Sequence, residues 1–241
     1  ETPLDEATTA SLEALKAYST GRKLNSTQGA AAAVPHFQRA VAIDPNFAMA
    51  HAFLGRMYGD VWDTVRAAES TKRAYDLRQH ASEREQFFIT TSYELQVTGD
   101  IEKVRQEAET WGQTYPRDAE PHALLSWVNQ ELGRHQKSAE EGLLTIDLDP
   151  DFTPGYINLG WAYLFLERPA DAIRTVERAY ARKLDSPELL IMRYYIAFVK
   201  GDEAGMRQIA PLATEQTAAQ DWMAHAQGSV LAYAGRLREA A

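Results

Sequence analysis

A glycine followed by a charged residue returns along this chain at a fixed pitch. Gly99-Asp100, Gly133-Arg134, Gly201-Asp202 and Gly235-Arg236 lie on a 34-residue grid, and Glu167-Arg168 fills the remaining rung. Pro116 and Pro150 repeat at the same interval. Such a period constrains folding severely. Each unit is one supersecondary element that cannot bury its apolar face alone, so neighbours must stack into a continuous core. Between the turns apolar residues recur at spacings of three and four, and no run alternates as a strand would. We therefore expect an all-α chain of antiparallel helix pairs. The helices should cover 10–25, 29–43, 47–60, 63–77, 82–97, 100–114, 118–132, 135–148, 152–166, 169–182, 187–200, 202–216 and 219–234, with a stub from 236. Asp44-Pro45 and Asp149-Pro150 punctuate the chain between helices. Glu83 and Glu85 suit a helix N-terminus, and Ser186-Pro187 reads as a cap followed by proline at the first helical position.

On these residues the chain resembles the tetratricopeptide repeat (TPR) family. Tyr156, Leu159, Gly160 and Tyr163 fall on the family's first-helix positions 4, 7, 8 and 11, and Ala172, Val176 and Ala179 on its second helix. Leu54, Gly55, Tyr58, Ala67 and Ala74 do the same in the second repeat, and Gly21, Ala33, Phe37, Ala40 and Pro45 in the first. The resemblance implies a right-handed superhelical solenoid of about seven units, expected to form one domain over 1–241. The repeats run approximately 14–47, 48–81, 85–118, 119–152, 153–186, 187–220 and a partial 221–241. In the TPR pattern a side chain at Gly160 would hold helix A away from its partner helix B. Ser92, Ser126 and Gly228 take the equivalent place. Three features depart from the pattern: Val104 and Trp111 replace alanines, an insertion falls at 79–83, and the sixth repeat puts Arg193 and Tyr194 at the leucine and small positions.

The resemblance also implies which face works. Positions 4, 7, 8 and 11 pack, whereas 2, 5, 9 and 12 line the concave groove. Position 9 reads Arg22, Arg56, Tyr93, Trp127, Trp161, Tyr195 and Ser229. Positions 5 and 12 add Ile157, Leu164, Ile191 and Phe198, with polar Gln96 and Gln130. The aromatic rungs are either a surface for an extended peptide or a partner's helix, or packing between repeats. The arginines could meet an acidic side chain or a C-terminal carboxylate. Tyr18, Arg22 and Phe53 stand where a chaperone-tail carboxylate clamp would need lysine and asparagines, so that clamp is absent.

The remaining chemistry is thin. The net charge is -9, from 34 acids against 25 bases, which argues against nucleic acid as a partner. There is no cysteine, excluding disulfides and thiolate sites. No membrane-length apolar run occurs, and a cytoplasmic location is expected. The six histidines show no zinc spacing, His51 and His122 fall on a packing position, and His80 lies in the insertion. No phosphate loop or nucleophile elbow appears, so we expect no catalysis, cofactor or metal. The opening "SLEALKAYSTGRKL" is similar to TPR regions appended to bacterial serine/threonine kinases and winged-helix regulators. That implies the sensory or scaffold part of a signalling protein. The start at Glu1 and the close at "GRLREAA" suggest a piece of a longer multidomain protein. The expected function is non-catalytic binding of a protein or peptide. Self-assembly into a homo-oligomer and sensing of a small ligand are the alternatives.

Overall fold

The computed structural model describes residues 9–215 and 217–240. They form helices α1 (Leu12–Gln28), α2 (Ala30–Ile43), α3 (Ala48–Asp60), α4 (Thr64–Leu77), α5 (Glu83–Tyr93), α6 (Ile101–Thr114), α7 (Ala119–Glu131), α8 (His135–Leu148), α9 (Thr153–Phe165), α10 (Pro169–Ala181), α11 (Pro187–Val199), α12 (Glu203–Ile209), α13 (Thr217–Tyr233) and α14 (Leu237–Ala240). No strand occurs among the described residues. The expected all-α helical repeat is the observed fold, with odd-numbered helices as helix A and even-numbered ones as helix B.

The recurring glycine-charge pair has a local cause. Gly99, Gly133, Gly201 and Gly235 all hold left-handed backbone, with φ of 71°, 70°, 68° and 75°, which glycine enters without a Cβ penalty. The next residue's N–H then closes the helix behind it. Arg134 donates to the Asn129 carbonyl at 2.7 Å, and Arg168 and Asp202 donate to Tyr163 and Ala197 at 2.8 Å. Where that residue is aspartate it also caps the following helix. Asp63, Asp100 and Asp202 accept from the backbone N–H of Arg66, Lys103 and Gly205. One short segment thus stops one helix and starts the next.

Two turns fill the glycine slot with a side chain. Trp62 sits at φ 63° and Glu167 at φ 56°. A third variation lies after α5, where Glu94–Thr98 widens into a π-helical turn. Its extra residue moves the closing bond one place back, from Asp100 N–H to the Glu94 carbonyl at 3.0 Å.

The chain forms two compact units, Glu1–Pro116 and Arg117–Ala241. In the first, Phe37, Phe47, Phe53 and Trp111 anchor the core, with Phe53 stacked on Phe37 at 5.7 Å and on Phe88 at 4.8 Å. Glu83 and Glu85 fall in the first turn of α5, as the sequence suggests, and Ser82 and Glu85 also satisfy each other's backbone N–H. In the second unit one cluster gathers Tyr156, Leu159, Val176 and Met192, and another Leu190, Tyr194, Ala213 and Met223. Ser186 caps α11 by accepting from Leu189 N–H, and Pro187 opens it, as the sequence suggests.

Two expectations need revision. The helix expected over 202–216 stops at Ile209 and continues as a 3-10 turn to Glu215. Pro211 lacks an N–H and crowds the carbonyl one turn back, so an α-helix cannot run through it. In the same repeat Tyr194 is buried at the small position, and half-buried Arg193 lies over the Tyr180 ring at 5.4 Å. The second revision concerns Gly160. A Cβ there would run into the Sδ and Cε of Met192, on the next helix A, rather than into helix B. The expected relation does hold at Gly21, whose Cβ would meet the Phe37 ring at 3.0 Å, and at Gly55, which faces Thr71 and the Ala67 carbonyl.

Candidate interaction surface

Position 9 projects from helix A toward the face opposite its packed stripe, so each expected residue leaves its helix in the same sense. Arg22 and Arg56 are exposed, while Tyr93, Trp127, Trp161 and Tyr195 are all half-buried. In the Arg117–Ala241 unit the rings make a connected strip. Trp161 and Tyr195 lie 5.4 Å apart between centroids, tilted by 60°. Trp161 also meets Phe165, one turn further along α9, at 6.3 Å. Phe165 lies flat on His135 of α8 at 4.8 Å and 16°, and Tyr195 touches Tyr194 edge-on at 6.3 Å.

Phe165 is 52% exposed despite these contacts. A single exposed apolar side chain is ordinary, but a continuous aromatic strip with an exposed ring in it offers contact area at low entropic cost. The buried Nδ1 of His135 and Oε1 of Gln130 have no hydrogen-bond partner among the described residues.

The other expected residues divide. Ile157 and Leu164 are half-buried and pack on the Tyr156–Met192 core, so they thicken the core as much as they line a face. Ile191 is buried at 7% exposure. Phe198 meets Tyr233 of α13 edge-on at 5.4 Å, and Tyr233 is 83% exposed. In the Glu1–Pro116 unit Tyr93 stacks on Tyr75 of α4 at 4.0 Å and 19°, and Arg78 covers Tyr75 at 3.8 Å. Gln96 reaches α4 as well, accepting from the Thr71 hydroxyl.

Sequence reasoning missed Phe165, His135 and Tyr75. Phe165 was within reach, since it follows Trp161 by four residues and shares its helix face. His135 and Tyr75 come from B helices, which a count along helix A never samples. The histidines at position 4 behave as neighbours' partners. His51 Nε2 lies 3.0 Å from the Pro45 carbonyl, and His122 Nδ1 lies 2.7 Å from Glu141. Burial pushes the His51 imidazole below its usual value, with Arg73 adding to the effect. His80 is exposed in the 3-10 turn Arg78–His80. No described helix is long and apolar enough to cross a membrane.

Helix pairs of this pitch, closed by a left-handed turn and stacked through small residues, define the tetratricopeptide-repeat fold. The chain is similar to TTC0263, a thermophilic TPR protein of Thermus thermophilus, with TM-score 0.59 and 20% identity over 77% of this chain and 98% of that one. A tetratricopeptide repeat protein from Parabacteroides merdae matches with TM-score 0.58 and 12% identity over 95% of this chain and 90% of the other. The hetero-tetramer Cut9-Hcn1 of the APC/C matches with TM-score 0.57 and 14% identity over 92% of this chain and 47% of that one. In sequence, Superkiller protein 3 of Schizosaccharomyces pombe is 24% identical over 166 residues, 66% of this chain. The chain spans only 12% of the length of that curated relative. No protein-family model matches it.

Proposed function

We propose that this chain is a non-catalytic protein-interaction module whose A-helix face takes an extended segment of a partner protein. One observation carries the reading. In the Arg117–Ala241 unit four rings from three helices form an unbroken strip, from His135 through Phe165 and Trp161 to Tyr195, and Phe165 within it stands open to solvent. Rings held by their neighbours lose little freedom on binding, which is the condition for an anchor site. The neighbours' fold is compatible with this, and the Cut9-Hcn1 structure is by its description an assembly of several chains. The net charge of -9 disfavours nucleic acid as the occupant. On the resemblance to kinase- and regulator-appended repeats, we place the module in the cytoplasmic sensory or scaffold part of a bacterial signalling protein.

The test is selection of random peptides displayed on phage by the purified chain. Trp161→Ala should weaken the selected peptides about tenfold or more. Phe165→Ser, at a half-exposed site, should do so while leaving circular dichroism and melting unchanged. Peptides that bind both variants as they bind the parent would remove the strip from the site. Self-assembly is read separately, by light scattering across concentration, where growth of the mass with concentration supports it.

A further inference from the structure

The arginines of the Glu1–Pro116 unit have a geometry of their own. Arg22, on α1, lays its guanidinium over the Phe53 ring of α3, 4.3 Å from the ring centre. Its Nη1 also donates to the Tyr18 hydroxyl at 3.2 Å. The floor beneath it is rigid, because Phe53 is only 4% exposed and is stacked on Phe37 and Phe88. Arg56 follows Phe53 by one turn of α3, so its stem leaves the same face as the ring under Arg22.

Both arginines are exposed, and neither forms an ion pair among the described residues. Others behave differently: Arg66, Arg105 and Arg168 are each met by a carboxylate on their own helix or cap. Arg22 and Arg56 occupy position 9 of successive repeats, in a chain with 34 acidic residues and 25 basic ones. A guanidinium resting on a ring has further N–H groups to turn toward solvent, and its planar fork grips a carboxylate through two hydrogen bonds.

We propose that Arg22 and Arg56 together anchor one carboxylate side chain, glutamate or aspartate, of a bound partner segment. This rests on the reading that the A-helix face takes such segments, and extends it to the first unit. The occupant is a segment with a single acid among neutral or apolar residues, because a polyacidic one would be repelled by the chain's net charge of -9.

The probe is a pair of short, C-terminally amidated peptide pools, randomised except for a central glutamate in one and glutamine in the other. Retention is measured on the immobilised full chain. The parent should hold the glutamate pool about tenfold better, the worth of a charge-assisted hydrogen bond, and salt should shrink that preference. Arg22→Gln/Arg56→Gln should hold both pools at the glutamine level with unchanged circular dichroism, and Arg56→Gln alone should lose part of the preference. Arg22→Lys, which keeps the charge but not the planar fork, should also lose most of it, and a lysine that serves equally well overturns the edge-on clamp. Equal retention of both pools by the parent, or a preference surviving in the double variant, overturns the arginine anchor alone. A third pool, with the central glutamine and a free C-terminus, held as well as the amidated glutamate pool overturns the side-chain assignment. Failure of the parent to hold either pool overturns this proposal together with the reading beneath it.

Discussion

At position 8 of helix A the Glu1–Pro116 unit and the Arg117–Ala241 unit each carry a glycine, but against different neighbours. Gly55 is pressed onto its own partner helix, where a Cβ would meet the Thr71 hydroxyl, the Thr71 backbone nitrogen at 3.0 Å and the Ala67 carbonyl oxygen at 3.1 Å. Gly160 is pressed onto the following repeat, where it would meet only the flexible end of Met192. In the second unit Gly142 and Gly155 continue this pattern, facing Leu159 and the Thr145–Ile146 pair across the α8–α9 contact. The same sequence position therefore governs the pairing within a repeat at Gly55 and the stacking between repeats at Gly160.

The largest expected effect separates these two cases. Alanine is favoured over glycine in a helix interior by about 1 kcal/mol. At Gly55 the obstacle includes backbone that belongs to a packed helix, so Gly55→Ala should cost about 2 kcal/mol net, as overpacking does. At Gly160 the Met192 thioether can swing aside, and Gly160→Ala should change stability by less than about 1 kcal/mol. Urea midpoints of the two variants decide it. Equal losses would mean that Gly160 is clamped as tightly as Gly55, and the distinction between the units would fall.

The second effect concerns the turns. In each unit one turn from helix A to helix B puts a side chain in the left-handed slot, Trp62 in the first and Glu167 in the second, and Lys183 does the same after α10. A non-glycine residue there costs roughly 1–2 kcal/mol. Glu167→Gly should raise stability by about 1 kcal/mol, and Gly133→Glu should lower it by a similar amount, since nothing lies within 4 Å of either a Gly133 or a Gly99 Cβ. Trp62→Gly should stabilise by the same mechanism, because Trp62 is 85% exposed and has little packing to lose. Thermal melts of the three variants read this directly. If Glu167→Gly gives no gain, some contact of the glutamate offsets the backbone strain.

Much of this was legible in the residues. Helix existence and order follow from apolar spacing, and the Gly-Asp pair announces a left-handed stop and a cap, both of which are present at Gly99-Asp100 and Gly201-Asp202. Trp62-Asp63 does the same job unseen, because the three-residue insertion before Gly99 takes it off the 34-residue grid. Gly160 signalled close approach but not what approaches, since a missing side chain carries no direction beyond its own helix face. The strip of rings was half visible. Trp161 and Tyr195 could be counted along helix A, whereas the stacking of Tyr93 on Tyr75 and of Phe165 on His135 comes from helix B, which the count did not include.

The smallest effect compares position 4 of the two units. Tyr156 donates its hydroxyl to the Pro150 carbonyl at 2.8 Å, and His51 reaches the Pro45 carbonyl from the same repeat position at 3.0 Å. The two side chains tie the start of helix A to the preceding proline in the same manner, but only one titrates near neutrality. Burial holds the folded His51 imidazole below its ordinary value of 6.5, so the unfolded chain takes up a proton first as the medium is acidified. Stability is therefore full above that ordinary value and is lost as pH falls toward the folded one. His51→Tyr should leave stability at pH 7 within about 1 kcal/mol, one hydrogen bond replacing another. It should then outlast the parent increasingly as pH is lowered below 6.5. Melting curves of parent and variant that stay parallel through this range would show that His51 is not the group that senses acid, and that its bond to Pro45 matters only as packing.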